Sequence, residues 1–468
     1  MSKVKEFLSK EKIFITQDAL EILESLEESE IIDLILNEIK NIDELITKET
    51  INELIKKYSK DLSLKEQNSQ TYKREIKEVS DITMGYKLML EDRFNKLKKI
   101  IEKVHRKTAG ITSIDLDKML DKSQVSIAGM LYNKESAKYD ALLLEFEDPY
   151  GSFRAIVPKY KKEAYQSALE MKLDDVAILD GILIKTDKGY YIRVNKIYLP
   201  DLEFEAEKKL EKNIYIACIS DIRYGNETFD YNAFQNLIDF LNNKFDEYKE
   251  ISSKIKYLLI TGDLIEGFSF ESKFKFDITD DMYSQYEELA GLLSNIRQDI
   301  TIYSIPGERD QLIQTIPFNE FDQEIAEPLF KFKNLILLKD PSYIDISQRK
   351  ILMTHGYYFE SLFKENIVDL EKLEEVMIKT MKDVIKRRSL ISSVRIEGLL
   401  PLGYDPFIID ERPDLMLCGH FDIYSNSSYH GCLLISNSSW INYLNDEKPR
   451  HSCYVINLKD LSIMRFLF

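Results

Sequence analysis

The strongest constraint on the fold is a pattern in the second half of the chain, where short apolar runs alternate with amphipathic segments. Five of these runs end in small and polar residues: NIYIACISDIRYG, KIKYLLITGDLIEG, DITIYSIPGERD, RKILMTHGYYFE and PDLMLCGHFDIY. Alternation of β-branched runs with helical patterns is typical of an α/β layered domain, which we assign to residues 206–468.

The polar ends of the five runs are expected to form one site. In open α/β sheets the carboxyl ends of the strands lie at one edge, and ligands bind there. Carboxylates with imidazoles suit manganese, iron or zinc in hydrolytic two-metal sites. A single Gly-Asp after a strand is usually a turn, and a single Thr-His-Gly is more often a hydrogen-bonded histidine than a ligand. The prediction therefore rests on all five ends together. The polar side chains concerned are Asp221, Arg223, Asp263, Glu266, Glu308, Arg309, Asp310, His355, His420 and Asp422.

Two further domains are predicted upstream of this one. Residues 1–60 carry short amphipathic helical patterns and predict a small helical domain for protein contacts. Residues 61–92 are polar without sustained periodicity and are interpreted as a linker. Residues 93–205 begin with the amphipathic stretch FNKLKKIIEKVHRK and continue as strand pairs, with hairpin turns at 148–151 and 186–189. Strands, one helix and more strands predict a small closed barrel of the OB type.

The charge of the chain limits its direct partners. A formal net charge of −17 disfavours a free-standing nucleic-acid binder, because phosphate neutralisation requires an excess of Lys and Arg. An acidic protein can still work on DNA when a partner supplies the basic surface. The barrel strands carry many Asp and Glu residues, so we favour a structural or protein-binding barrel over a platform for single strands.

Membrane insertion and secretion are not expected. No apolar run is long enough to cross a bilayer, and the N-terminus MSKVKEFLSKEK lacks an apolar signal core. The expected location is the cytoplasm, or the nucleus in a eukaryote. Cys218, Cys418 and Cys432 lie in apolar runs without C-x-x-C spacing, which predicts small buried side chains and no structural zinc site.

The order of the strand ends resembles a known family. The calcineurin-like metallophosphoesterases carry Asp-x-His, Gly-Asp, Gly-Asn-His-Asp, His-Gly and Gly-His-x-His in this order. The stretches EDRFNKLKKIIEKV, LLLEFEDPYG, GDLIEG, YSQYEELAGLL, KRRSLI, PDLMLCGH and LLISNSSW narrow the match. Together they resemble the small subunit of the archaeal family D DNA polymerase and, more distantly, the B-subunits of eukaryotic replicative polymerases. The resemblance covers about residues 90–468, while the N-terminal helices match in kind only.

The resemblance implies a fold, a partner and an activity. The fold would be α+β and multidomain: an N-terminal helical domain, an OB-type β-barrel and an α/β metallophosphoesterase-like layered β-sandwich. The chain would bind a large catalytic polymerase subunit and reach DNA through that complex. In the archaeal family the small subunit carries a 3′–5′ exonuclease with two metals bridged by the Gly-Asp carboxylate. The N-terminal helices are candidates for contacts with other replication proteins.

The sequence departs from the family motifs at the positions of Arg223, Glu308, Arg309 and Asp422, where the family has His, Asn, His and His. By the resemblance, the second metal position would take Asp263, Glu308, His355 and His420. Glutamate is a competent oxygen ligand, so this half of the site is chemically complete.

The first metal position would take Asp221, Asp263 and the residues at 223 and 422. Arg223 cannot ligate, because its guanidinium stays protonated and has no lone pair. Our hypothesis is that Arg223 replaces the charge of the first metal among Asp221, Asp263 and Asp422. The cofactor would then be one divalent metal (Mn, Fe, Zn or Mg) or none.

These departures favour an accessory polymerase subunit whose phosphoesterase-like site is inactive or weakened. Arg309 cannot act as a general acid near neutral pH. The alternative is an active 3′–5′ proofreading exonuclease, in which His355, Arg309 and Asp310 would carry the catalysis. A second alternative is a stand-alone phosphoesterase, against which the upstream helix and barrel argue. Asp310 is expected to orient its loop through backbone hydrogen bonds.

Overall fold

A computed structural model describes residues 81–137, 140–205, 213–267, 278–312, 315–396, 398–442 and 451–468, residue 210, and scattered positions before residue 55. The chain divides into two compact units, Met1–Tyr72 and Lys73–Phe468. In the first unit the described positions include helical ones that share an apolar core. That core contains Val4, Leu8, Ala19, Leu23, Ile35, Leu36, Ile39, Ile46, Ile51 and Leu54. Most of the predicted helical domain, and residues 61–80 of the predicted linker, lie outside the described residues.

The second unit begins with a long helix, α1, which spans Ile82–His105. The carboxylate of Asp81 caps it by accepting a hydrogen bond from the amide of Thr83 at 3.1 Å. The helix therefore starts inside the segment 61–92 that the sequence predicted to be a linker, and that prediction is wrong for residues 82–92. The buried face of the helix includes the charged Arg93. This charge interrupts the apolar periodicity, so the sequence pattern did not predict the first turns of the helix.

Arg93 joins α1 to two other parts of the unit. Its Nη1 atom lies 2.7 Å from Oδ2 of Asp405, and both side chains are fully buried. Its Nε atom donates to the backbone carbonyl of Asp174 at 3.1 Å. A buried charge is stable only with such pairing. Because Asp174 belongs to the barrel and Asp405 to the layered domain, one side chain ties helix, barrel and layered domain together.

The barrel is closed by five strands in the order β1-β2-β3-β5-β4. The strands are β1 (Gln124–Ala137), β2 (Ala141–Asp148), β3 (Gly151–Val157), β4 (Val176–Thr186) and β5 (Gly189–Tyr198). The helix α2 (Lys162–Glu170) lies between β3 and β4. The pairs Asp148–Gly151 and Thr186–Gly189 close the two predicted hairpins. The predicted closed barrel with one inserted helix is therefore confirmed.

The layered domain contains a six-stranded sheet, in the order β16-β15-β6-β7-β8-β9, and a five-stranded sheet, in the order β10-β11-β12-β14-β13. The six strands of the first sheet are β6 (Tyr215–Ile219), β7 (Ile255–Thr261), β8 (Thr301–Ile305), β9 (Leu335–Leu337), β15 (Ser452–Asn457) and β16 (Ser462–Leu467). The strands of the second are β10 (Ser342–Ile346), β11 (Arg349–Met353), β12 (Leu415–Cys418), β13 (Ser425–Tyr429) and β14 (Cys432–Ser436). Strands β6 to β9 run parallel, as do β11, β12 and β14, so their carboxyl ends lie at common edges.

The two sheets share one apolar core, and helices cover the face of each sheet that points away from it. The shared core joins Cys218 and Tyr303 of the first sheet to Met353 and Leu417 of the second. The helices are α3 (Tyr231–Leu241), α4 (Lys249–Ser252), α5 (Ile278–Leu293), α6 (Glu327–Phe330), α7 (Glu360–Asn366) and α8 (Leu373–Arg387). α3 and α5 contribute to the core on the six-stranded sheet, and α7 and α8 to the core on the five-stranded sheet.

The layered domain contains all the cysteines of the chain. All four cysteines are free and buried, in agreement with the prediction of small apolar side chains. Among the described residues, no helix is both long enough and apolar enough to cross a membrane.

Candidate functional site

The five polar strand ends follow β6, β7, β8, β11 and β12, and the structure brings them together. The amide of Asp221 donates to the carbonyl of Gly262 at 3.0 Å. The amide of His420 donates to Oδ2 of Asp221 at 2.9 Å, which joins the edges of the two sheets. The amide of Arg309 donates to Oδ1 of Asp263 at 3.0 Å. The convergence predicted from the strand pattern is thus present in the structure.

Many of these residues have a left-handed backbone. The φ angles are 51° at Asp221, 52° at Arg223, 51° at Asp263, 71° at His420 and 54° at Asp422. Residues other than glycine rarely adopt positive φ, and such positions concentrate at functional sites where the surrounding structure fixes them. The backbone therefore aims these side chains at one place at some energetic cost.

Two glycines permit the close approach of the site side chains. A Cβ atom at Gly262, whose φ is 89°, would collide with the imidazole of His355. A Cβ atom at Gly307 would collide with the carboxylate of Asp263. The small residue before each polar cluster is therefore required by space, and at Gly262 also by the backbone angle.

One part of the site, which we call the histidine half, consists of Glu308, His355 and His420. Nε2 of His355 lies 2.6 Å from Oε2 of Glu308, and Nδ1 of His420 lies 3.0 Å from Oε1 of the same residue. Nδ1 of His355 donates to the carbonyl of Thr261 at 2.8 Å, which turns Nε2 towards Glu308. Oδ1 of Asp263 lies 3.6 Å from that Nε2 atom.

The histidine half has the donors of a cation site. Ligand atoms of Glu308, His355 and His420 lie within 4.8 Å of one another, as do those of Asp221, Asp263 and His355. Nε2 of His355 and Oε2 of Glu308 are buried, and neither makes a hydrogen bond of suitable geometry among the described residues. Converging buried donors of this kind, imidazole nitrogen and carboxylate oxygen, fit a divalent metal. These groups could therefore hold one.

Without a metal, the histidine half is an ion triad. Burial alone would raise the pKa of Glu308, but the charges of His355 and His420 hold it well below its ordinary value. Burial would lower the pKa of His420, but Glu308 raises it to about 9. The pKa of His355 is likewise raised, against burial, by Asp263 and Glu308. Burial also raises the pKa of Asp221 to about 7. Near neutral pH both imidazoles are therefore in the positively charged imidazolium form, beside an ionised Glu308.

The other part of the site, which we call the arginine half, consists of Arg223, Glu266 and Arg309. Nε and Nη2 of Arg223 donate to Oε2 and Oε1 of Glu266 at 2.8 and 3.0 Å. Nη1 of Arg309 donates to Oε1 of Glu266 at 2.6 Å. Nε of Arg309 also lies 3.4 Å from Oδ2 of Asp263. Two guanidinium groups from different loops therefore meet on one carboxylate.

This pairing differs from the sequence-based hypothesis for Arg223. We expected its guanidinium to lie in a salt-bridge cluster with Asp221, Asp263 and Asp422, whereas its described hydrogen bonds go to Glu266. The amide of Glu266 donates to the carbonyl of Tyr224 at 2.8 Å, so the two segments are already paired beside Arg223. Glu266 was visible in GDLIEG, but no family motif gives that position a role.

The carboxylates of Asp310 and Asp422 accept hydrogen bonds from nearby backbone amides. The carboxylate of Asp310 accepts hydrogen bonds from the amide of Gly307 at 2.8 Å and from the hydroxyl of Tyr286 at 2.9 Å. It also lies 3.2 Å from the amide of Leu264. The predicted loop-orienting role of Asp310 is thus confirmed. Oδ1 of Asp422 accepts from the amide of Ser439 at 3.2 Å.

The sequence reading missed two acidic side chains that touch the histidines. Oε1 of Glu360 lies 3.9 Å from Nε2 of His420, and the neighbouring imidazole of His420 lowers the pKa of Glu360 to about 2. The carboxylate of Asp340 accepts from the amide of His355 at 3.2 Å, and burial raises its pKa to about 7. Glu360 lies in the stretch HGYYFE, where its position after His355 was the only signal, and Asp340 had none.

Comparison with known proteins gives a consistent family. Residues 216–425 match the family model that describes the B-subunits of DNA polymerases alpha and epsilon. The chain is 31% identical over 372 residues to the DNA polymerase II small subunit of Pyrococcus abyssi, with 78% of this chain and 58% of that protein covered. It is 29% identical over 356 residues to the protein of that name from Methanocaldococcus jannaschii, with 75% and 58% covered.

The chain thus spans less than two thirds of the length of these curated relatives, 58% in both cases. A solved structure described as a novel archaeal phosphodiesterase covers 55% of this chain and 100% of that one. Its sequence identity is 12% and its TM-score 0.27.

Proposed function

The chain is a relative of the archaeal DNA polymerase II small subunits, and we propose that it is the accessory subunit of a replicative DNA polymerase. In this role it binds and scaffolds a large catalytic subunit. The observation that carries the proposal is the identity of 31% over 372 residues to a protein of that name. A net charge of −17 agrees with a subunit that leaves most DNA contacts to its partner.

The proposed role assigns a type to each part of the second unit. The five-stranded barrel, together with the helix α1 that leads into it from Ile82, is an OB-type domain that ends near residue 205. The two stacked sheets with helices on their outer faces are a metallophosphoesterase-like domain at residues 206–468. The first unit is a helical domain that contacts other replication proteins.

The site in the layered domain takes at most one divalent cation. Glu308, His355 and His420, with Asp263, would hold it, because their donor atoms converge and two of them are buried without a hydrogen bond. When bound, such a cation supplies Lewis-acid polarisation of a phosphate oxygen. The Thr261 carbonyl fixes the proton of His355 on Nδ1 and leaves Nε2 free to ligate. The arginine half takes no second cation, since guanidinium offers no lone pair.

We infer that hydrolysis at this site is absent or weak. Arg309 keeps its protons near neutral pH and cannot give one to a leaving group. Nη1 of Arg309 already donates to Oε1 of Glu266 at 2.6 Å. Loss of an acid and of one metal position removes several orders of magnitude in rate from a two-metal hydrolase.

The accessory role is tested by affinity purification of the chain from its native source, followed by mass spectrometry. We expect a large DNA polymerase subunit in near-stoichiometric amount. A chain that elutes alone, or with proteins unrelated to replication, would contradict the proposal.

The alternative is an active 3′–5′ exonuclease subunit, which the complete donor set of the histidine half favours. The test is digestion of a primer with a 3′ mismatch in manganese, by the free chain and by the complex. We expect digestion near background in both. Rapid digestion that His355→Ala abolishes and His430→Ala preserves would establish the alternative.

A further inference from the structure

The arginine half binds an internal anion with the geometry that proteins use for phosphate. Both carboxylate oxygens of Glu266 accept from Arg223, at 2.8 and 3.0 Å, and one of them also accepts from Arg309 at 2.6 Å. A guanidinium group presents a rigid pair of donors that matches two oxygens of a carboxylate or of a phosphate. The same donors therefore suit either anion.

The three side chains are reachable from solvent. The exposed fractions are 13% for the Arg223 side chain, 16% for that of Glu266 and 32% for that of Arg309. The two arginines come from the loops after β6 and β8, which other contacts hold in place. The amide of Arg223 donates to the carbonyl of Asp263 at 2.9 Å, and that of Arg309 to the Asp263 carboxylate at 3.0 Å. Moving Glu266 would leave both loops held by these bonds.

We propose that Arg223 and Arg309 form a binding site for a phosphate group, carried by free inorganic phosphate or by the end of a nucleic-acid strand, and that the Glu266 carboxylate occupies this site when no phosphate is bound. The site recognises phosphate without cutting it, because neither arginine ligates a metal or supplies a proton. The proposal goes beyond the polymerase role and does not depend on it, since the isolated chain suffices for the test.

Glu266 sets how tightly the wild-type chain binds. A phosphate must displace this carboxylate, and the nearby Asp263 carboxylate repels an anion as well. Wild-type affinity is therefore weak, and removal of Glu266 strengthens it. A carboxylate that holds two guanidiniums contributes hydrogen bonds to charged groups, so its loss should tighten phosphate binding roughly tenfold.

The experiment is calorimetric titration of the full chain with inorganic phosphate, in the presence of a chelator so that no metal contributes. The variants are Glu266→Ala and Glu266→Gln, each alone and combined with Arg309→Lys, which keeps the charge but removes the fork. The matched control is Glu287→Ala, an exposed glutamate on α5. Thermal unfolding checks that each variant is folded.

We expect roughly tenfold tighter binding for both Glu266 variants, no change for Glu287→Ala, and loss of the gain when Arg309→Lys is added. Unchanged affinity in both Glu266 variants overturns the proposal. A gain shared by Glu287→Ala also overturns it, because that result reflects net charge alone.

A second arm separates the two sources of phosphate. Single-stranded oligonucleotides with a 5′-phosphate, a 3′-phosphate or hydroxyl ends compete with inorganic phosphate for Glu266→Ala. Competition that requires a terminal phosphate supports a strand end as the ligand, and no competition by any strand supports free phosphate. Equal competition by the hydroxyl-ended strand contradicts the site, since binding would then not require a terminal phosphate.

Discussion

The histidine half and the arginine half of the site have the same backbone arrangement but different basic side chains. Both lie on loops that follow parallel strands, and left-handed backbone angles occur in both, at His420 and at Arg223. In one half a carboxylate lies between two imidazoles, and in the other a carboxylate lies between two guanidiniums. The fold therefore fixes where side chains meet, while the residue types decide what they bind.

Asp263 connects the two halves. Its Oδ1 atom lies 3.6 Å from Nε2 of His355, and its Oδ2 atom lies 3.4 Å from Nε of Arg309. Burial, followed by the charge of Glu308, raises its pKa well above the ordinary value. Asp263 is therefore a carboxyl group that side chains of both halves contact.

The largest expected effect is on the stability of the metal-free chain. Glu308→Gln leaves two buried imidazoles without their anion and should cost about 3 kcal/mol, whereas Glu266→Gln acts on a partly exposed cluster and should cost about 1 kcal/mol or less. Urea unfolding of both variants in chelator measures the difference. Equal losses would mean that the two halves contribute alike.

The next effect is on metal affinity. His355→Ala removes a ligand and should weaken manganese binding about 100-fold, while Arg309→Ala should change it by less than about threefold. Calorimetric titration with manganese measures both, with the exposed His430→Ala as the matched control. The distinction between the halves fails if Arg309→Ala weakens manganese binding as much as His355→Ala does.

The pH dependence of stability should come from the histidine half and from the buried carboxyl groups beside it, and not from the arginine half. The folded pKa of His420 is about 9, above its ordinary 6.5, so the Glu308–His420 pair stabilises fully below pH 6.5 and loses its effect as pH rises through 9. The raised pKa of Asp221, about 7, acts in the same direction, because the folded form prefers the protonated carboxyl. We expect the metal-free chain to lose about 2 kcal/mol over this range.

Thermal unfolding between pH 6 and 9.5 in chelator tests this dependence. His420→Asn should make the curve less steep, with the raised pKa of His355 accounting for part of the slope that remains. Glu266→Gln should leave the slope unchanged because arginine does not titrate there. If Glu266→Gln changes the slope and His420→Asn does not, the titrating groups lie in the arginine half, contrary to this prediction.

The smallest expected effect is a restored second cation. Arg223→His with Asp422→His places imidazoles at the first metal position and should raise bound manganese from one to two ions per chain, the second of them weakly held. Native mass spectrometry across a manganese titration counts the ions. A count that stays at one ion would show that residues other than these two also prevent a second cation from binding.

The sequence predicted where the site would form better than how its side chains would pair. Strand period and glycine positions predicted both the closed barrel and the meeting of the five strand ends. The partner of Arg223 was not predictable, because spacing fixes the backbone position of a residue and not the direction of a long side chain. The start of α1 was missed because the buried Arg93 interrupts the apolar stripe, and only its distant partner Asp405 explains that charge.

The buried Arg93 also has a mechanical consequence. Because its side chain bonds to the barrel at Asp174 and to the layered domain at Asp405, the two domains share an internal strut. A partner that binds the barrel and the layered domain together therefore finds their surfaces at a fixed separation. Little conformational entropy is then lost on association, so two contacts of modest affinity can combine into tight binding.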